Sequence, residues 1–212
     1  MYVILHSHSK LNKMKNILHV ISSPRGESSF SIKLGNSIVE KIQTAHPDSV
    51  VTTTDLTNSV LPHLSASHLA SFFTPAEQRT QENKETIRES DAAIAEVQQA
   101  DFIVIGLPLY NFSIPSTLKA WIDHITRAGI TFKYSENGPE GLLKNKKLYI
   151  AMASGGIYSE GPTQAYDFAT PYLKSVFGFL GITDVEIIRV EGTSIPNVME
   201  TALEKGISSI AV

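Results

Sequence analysis

The chain has 212 residues, 42% hydrophobic and 18% charged, with a formal net charge of −3. That is the profile of a soluble globular protein with one well-buried core, without the basic field that nucleic acid or an anionic membrane would attract. The absence of cysteine removes disulfides, thiolate catalysis and Cys-ligated metals.

Residues 1–13 fit the rest of the chain poorly. Tyr2-Val3-Ile4-Leu5 is too short for the apolar region of a signal peptide and no positive charge precedes it. No apolar run approaches the roughly 18 residues that a membrane span needs. Residues 1–13 are therefore expected to be an extension that is not part of the fold. Residues 14–212 are expected to form a single domain of a cytoplasmic protein.

From Asn16 onward the pattern alternates. Ile17 to Ile21 reads as a short strand, closed by the loop signal Ser22-Ser23-Pro24-Arg25-Gly26. From Ser31 to Thr44, apolar residues at Ile32, Leu34, Ile38, Val39 and Ile42 keep helical spacing. Ser49 to Asp55 is rich in β-branched residues and reads as a second strand. An irregular section follows, Leu56 to Thr74. Pro75 then opens a long polar helix reaching about Gln99, with a thin apolar stripe of Ile87, Ile94 and Val97.

Phe102 to Ile105 forms a third, buried strand, and Ser116 opens a helix running through Ile125, with Pro115 near its first position. A hairpin-like insert spans Gly129 to Leu143. A fourth strand, Lys147 to Met152, ends in Ser154-Gly155-Gly156. A helix from about Thr170 to Leu180, a fifth strand from Val185 to Val190 and a last helix from Pro196 complete the chain. Five strands alternating with helices imply a parallel sheet covered on both faces. Right-handed crossovers favour a doubly wound, flavodoxin-like order of 2-1-3-4-5.

In such a sheet the loops after strands one, three and four leave from one edge, where open α/β sheets bind ligands. The first loop has five serines in ten residues, Ser22 to Ser31, and feeds a helix N-terminus. Free N–H groups and the positive end of the helix dipole favour a phosphate there, although serine is also an ordinary N-cap. It is neither a Walker A loop nor a G-x-G-x-x-G fingerprint. The second loop, Pro108 to Pro115, presents Tyr110-Asn111-Phe112. Its aromatic rings either pack into the core or offer flat faces to a planar ligand. The third, Ala153-Ser154-Gly155-Gly156, either lets backbone approach a ligand closely or is a flexible strand exit.

Together these segments resemble the FMN-dependent NADH azoreductase/quinone reductase family. The most specific stretch is Ala128-Gly129-Ile130-Thr131-Phe132-Lys133-Tyr134-Ser135-Glu136-Asn137-Gly138-Pro139-Glu140-Gly141-Leu142. Tyr110-Asn111-Phe112 and Gly178-Phe179-Leu180-Gly181-Ile182 fit as well. The resemblance implies that Ser23, Ser29, Phe30 and Ser31 hold the FMN phosphate. It implies that Leu109, Tyr110, Asn111 and Phe112 embrace the isoalloxazine ring, and that Ala153, Ser154, Gly155 and Gly156 line its pyrimidine end. Where the family often carries Ser-Arg-Gly-Gly at this last site, the chain has Ala153-Ser154-Gly155-Gly156, so one side-chain contact is lost.

The resemblance further implies a homodimer with its active site at the interface. In the implied reaction NADH or NADPH reduces flavin N5, and a quinone or azo compound then takes two electrons in the same place, so the cofactor carries the chemistry. No metal is expected. Tyr110 is the candidate proton donor, His124 is expected to be structural, and Phe179 is a candidate to face a neighbouring flavin. Two other classes stand beside this reading, an acyl-carrier-protein phosphodiesterase-type hydrolase and a flavodoxin-like electron carrier. The hydrolase needs metal ligands or an activated nucleophile, and the scattered histidines show no ligand spacing. The carrier would be strongly acidic with a Thr-rich phosphate loop, and this chain has neither.

Overall fold

A computed structural model describes residues 14–58 and 61–212, so the expected extension lies outside the described residues. The main sheet is built from β1 (Asn16–Ile21), β2 (Val50–Asp55), β3 (Phe102–Pro108), β6 (Lys147–Ala153) and β7 (Asp184–Val190). All four neighbouring pairs are parallel, in the order β2-β1-β3-β6-β7. Counting only these five strands, that is the expected 2-1-3-4-5. The expected insert is an antiparallel hairpin of β4 (Phe132–Ser135) and β5 (Gly138–Gly141).

Why the sheet is covered twice follows from its side-chain alternation. In β3, Ile103, Ile105 and Leu107 join one buried cluster and Val104 joins another; in β6, Leu148, Ile150 and Met152 part from Tyr149 and Ala151 in the same way. The first face is covered by α4 (Arg88–Gln99), α5 (Ser116–Ile125) and α6 (Ala169–Leu180), through residues such as Val97, Trp121 and Phe177. The second is covered by α1 (Phe30–Ala45), through Leu34, Ile38 and Ile42, and by α7 (Met199–Ser208), through Ala202. Interior strands are thus nearly continuous apolar runs, whereas the edge strand β2 is largely open and can be threonine-rich.

The hairpin docks on the end of α6 at backbone contact. A Cβ on Gly141 would lie 2.1 Å from the backbone nitrogen of Gly181, and the Leu143 N–H donates to Leu180 O at 2.9 Å. No side chain fits between them. Phe179 is half-buried and packs its ring 4.5 Å from that of Phe132, so it anchors the hairpin.

Three expected boundaries are corrected. The section 56–74 contains a helix, α2 (Ala66–Phe73), started by a capping box in which Ser65 Oγ accepts from the His68 N–H and His68 Nδ1 accepts from the Ser65 N–H. The long helix from Pro75 is a 3₁₀ turn, then α3 (Gln81–Thr86), then α4. Thr80 and Asn83 form a second capping box that starts α3 afresh, and Ile87 leaves helical geometry between the two. The apolar stripe of Ile87, Ile94 and Val97 is nevertheless buried as expected. The last helix begins at Met199 rather than Pro196, because Asn197 sits at φ +66°, which an α-helix cannot accommodate.

Candidate functional site

The carboxyl ends of β1, β3, β6 and β7 are stitched to one another by the loops that leave them. The N–H and Oγ of Ser22 both donate to Gly106 O, at 3.1 and 2.9 Å. The Leu109 N–H donates to Ala153 O at 2.8 Å and the Ser154 N–H to Val190 O at 2.9 Å. The Thr193 and Ser194 N–H groups donate back to Ser154 O and Gly155 O. The loops therefore form one rigid rim.

In the first loop the serines divide the work. Ser22 holds the rim and Ser28 closes the local turn onto Arg25 O. Ser29 caps α1, its Oγ accepting from the Ile32 N–H at 3.4 Å, and it lies 3.0 Å from the Ser31 Oγ. Ser23, Ser29 and Ser31 are all buried. The cap satisfies one of the donors that a helix start leaves over, and the Phe30 and Ser31 N–H groups have no acceptor within the helix. Capping and anion binding are thus compatible here. Arg25 is exposed at the mouth of the loop.

The second loop is a tight turn. Tyr110 and Ser113 exchange both backbone hydrogen bonds at 3.0 Å, with Asn111 at φ +48° and Phe112 at φ +68°. Two consecutive positive φ values are the signature of a type I′ turn, which favours Asn-Gly. Asparagine is at home there, but phenylalanine is not, at a cost of about 1–2 kcal/mol. Tyr110 and Phe112 are 39% and 45% exposed, so they do not pack into the core; Leu109 and Ile114 anchor the turn instead. Phe112 is flanked by Tyr158 and Tyr166, with ring centroids 6.3 and 5.3 Å away. Pro115 occupies the N-cap position of α5, next to the first helical position, with no side-chain capping bond.

The two glycines of the third loop have neighbours within the chain. A Cβ on Gly155 would meet Ser194 Oγ at 2.8 Å, and one on Gly156 would meet the Tyr158 ring at 3.1 Å. Close approach to a ligand does not by itself explain them. Ser154 Oγ donates to Gly156 O at 2.8 Å and fixes the loop's shape.

These loops enclose a crevice of about 120 Å³, opening beside a larger cleft of about 680 Å³. Of the twelve expected residues the crevice brings together Ser23, Ser29, Phe30, Leu109, Tyr110, Ala153, Ser154 and Gly155. Ser31, Asn111, Phe112 and Gly156 do not line it; Asn111 lines the larger cleft, which shares Tyr110. Thr193 and Ser194, from the loop after β7, also line the crevice, beyond the twelve expected residues. Their signal was available, since in an all-parallel sheet the loop after the fifth strand leaves from the same edge.

Tyr172 and Lys119 line the cleft from α6 and α5. Burial, aided by the charge of Asp123, pushes the Tyr172 phenol up to about 12, so it stays a proton-bearing donor at neutral pH. His124 is buried with its Nε2 2.8 Å from Pro62 O, and burial lowers its pKa, in keeping with a structural role. Among the described residues no group of three or more His, Asp or Glu is placed to hold a metal ion, and no helix is long and apolar enough to cross a membrane.

The model of the family described as "Flavodoxin-like fold" matches residues 15–211. An FMN-dependent NADH:quinone oxidoreductase of Herminiimonas arsenicoxydans is 51% identical over 181 residues, 85% of this chain and 89% of that protein. An azoreductase of Bacillus anthracis superposes with a TM-score of 0.85 at 33% identity, covering 92% and 96% of the two chains. An FMN-dependent NADH-azoreductase from the same species, solved in complex with FMN, superposes with a TM-score of 0.82 at 30% identity over 92% and 97%.

Proposed function

The chain belongs to the flavodoxin-like fold family, alongside FMN-dependent NADH:quinone oxidoreductases and azoreductases, and we propose that it passes two electrons from NADH or NADPH, through FMN, to quinones and azo compounds. The observation that carries this reading is the convergence of three loops on one crevice beside the N-terminus of α1.

The residues present suit the cofactor. Ser23, Ser29 and Ser31 are buried hydroxyls next to the open N–H groups of Phe30 and Ser31, a donor set matched to a phosphate. The crevice is too small for a whole flavin, but it opens onto the exposed Tyr110-Asn111-Phe112 turn and the larger cleft. In this assignment Leu109 to Phe112 support the ring, and Ala153 to Gly156 offer backbone groups to its polar edge. Bound FMN supplies the hydride-accepting and electron-donating chemistry. The protein orients the ring, and the cleft shared by Tyr110 and Asn111 positions donor and acceptor in turn. The phenols of Tyr110 and Tyr172 line the same cleft and serve as proton donors.

The described part of residues 14–212 serves as the FMN-binding unit. Exposed Tyr110, Phe112, Tyr166 and Phe168 surround the turn, which supports a homodimer that covers them and places the active site at the interface. The site calls for neither nucleic acid nor a membrane, consistent with a cytoplasmic enzyme.

The test is direct. Purified protein reconstituted with FMN is expected to turn yellow, bind one flavin per chain and oxidise NADH when a quinone is supplied. Failure to bind FMN sinks the proposal, and binding without NADH turnover favours the electron carrier.

A further inference from the structure

We infer that Arg189, on the last strand of the sheet, is a positioning residue for the Tyr110–Ser113 turn, acting through a partly buried ion network that ties both ends of the segment 158–168. The inference rests on the flavin reading above for its functional consequence, but not for its structural content.

Alternation along β7 points Val185, Ile187 and Arg189 toward the face covered by α6, while Ile188 and Val190 face α7. A guanidinium is therefore placed where an aliphatic residue would continue the pattern. Its Nη2 donates to Asp167 Oδ2 and to Thr170 Oγ1, each at 2.6 Å, and its Nη1 lies 3.5 Å from Glu191 Oε1. The side chains are 19%, 7% and 12% exposed for Arg189, Asp167 and Glu191. Burying such a cluster costs desolvation that its mutual attraction does no more than repay, so net stability is a poor reason for having it. Geometry is a better one.

Each carboxylate holds one end of the same segment. Glu191 Oε1 accepts from the Tyr158 N–H at 2.8 Å. Asp167 accepts from the Thr170 N–H at 2.9 Å, setting the start of α6, and the next residue, Phe168, donates its N–H to Phe112 O at 3.1 Å. Tyr158 and Tyr166, near the two ends, carry the rings that flank Phe112. A phenylalanine at φ +68° persists only where its surroundings over-determine it. Beyond the Tyr110–Ser113 pair and the Leu109 and Ile114 anchors, those surroundings are the Phe168 N–H and the two tyrosines, and these three are tied to Arg189 through Asp167 and Glu191.

The experiment compares Arg189→Lys, which keeps the charge but loses the fork, with the milder Asp167→Asn. Glu186→Gln, which breaks the more exposed Lys147–Glu186 pair elsewhere in the sheet, is the control. Amide hydrogen exchange at Ser113 and Phe168 is measured on the flavin-free protein, and FMN affinity and the visible circular dichroism of bound FMN on the reconstituted one. If the turn is competent in about a tenth of molecules, the apparent FMN Kd rises about tenfold. The expected result is faster exchange at both amides, a Kd raised by about that factor and an altered flavin dichroism, in both network variants and not in the control. Unchanged exchange overturns the positioning role. Faster exchange with wild-type FMN affinity and dichroism overturns its functional half. Wild-type protein that binds no FMN refutes the flavin reading instead, and the exchange data then still decide whether Arg189 holds the turn.

Discussion

The serine loop and the Tyr110–Ser113 turn stand side by side on the same sheet edge and are built on opposite principles. The serine loop is local: its cap, its turn bond and its hydroxyl pair all lie within ten residues, and its serines at 23, 29 and 31 are buried. The turn is strained, exposed and held from far along the chain, by Phe168 and the aromatic rings at 158 and 166. The first is set mainly by its own sequence, with Ser22 reaching out to Gly106 O of β3. The second needs the finished fold.

Three perturbations sharpen that contrast. The largest effect is expected from Ser23→Ala combined with Ser29→Ala, the two serines whose residues line the crevice. Each hydroxyl to a charged phosphate contributes about 1.5–3 kcal/mol, so FMN binding should weaken at least about a hundredfold by flavin-fluorescence titration. Loss of the cap should also cost about 1 kcal/mol in thermal or denaturant unfolding. Undiminished affinity would remove the phosphate from this loop.

Acid is expected to weaken the side of the sheet under the serine loop. His19 of β1 is buried against Gly35 of α1, where a Cβ would lie 2.7 Å from its Nε2, and burial pushes its pKa down to about 4. The unfolded chain then binds the extra proton between about pH 6.5 and 4, so stability is full above that window and falls as pH drops through it. The loss is about 3 kcal/mol at most, at about 1.4 kcal/mol per pH unit. Burial also lowers the pKa of His124, which acts in the same direction. Urea melts across this range measure the slope, and His19→Gln should flatten it; a flat wild-type profile would mean that His19 is protonated without penalty.

The smallest effect on stability is expected at the turn. Phe112→Gly removes about 1–2 kcal/mol of backbone strain while giving up ring contacts of similar size, leaving unfolding within about 1 kcal/mol of wild type. FMN affinity should nonetheless fall several-fold. A stability loss as large as that of a core truncation would show that Phe112 is a packing residue after all.

Much of this was legible in the sequence because its causes are short-range. Apolar runs such as Phe102–Ile105 and Lys147–Met152 have to be interior strands, and the five serines mark a helix start whatever they bind. What escaped was long-range or disguised. α2 escaped because its inward face is polar: it buries His68 and Ser71 while Leu69 and Phe73 stay exposed, so apolar periodicity does not mark it. The long helix broke because Thr80 and Asn83 satisfy one another as a cap, which outweighs uniform helix propensity. Thr193 and Ser194 look like an ordinary exit loop, and Arg189 reads as one charge in a strand. Thr193 and Ser194 take their place from the sheet edge they leave, and the meaning of Arg189 depends on Asp167, Tyr158 and Phe112, which no local window contains.

The spatial order β2-β1-β3-β6-β7 has a consequence for how the molecule is made. After β1 and β2 pair, each later strand joins the same growing border in the order in which it leaves the ribosome, so the sheet can be assembled without waiting. Its ligand-facing rim cannot. Val190 receives Ser154, Thr193 and Ser194 close the crevice, and Arg189 secures the turn, all from the final strand and the loop beyond it. A nascent chain can hold a nearly complete sheet and a well-formed serine loop while having no finished pocket, which defers tight cofactor capture to the last stretch of synthesis.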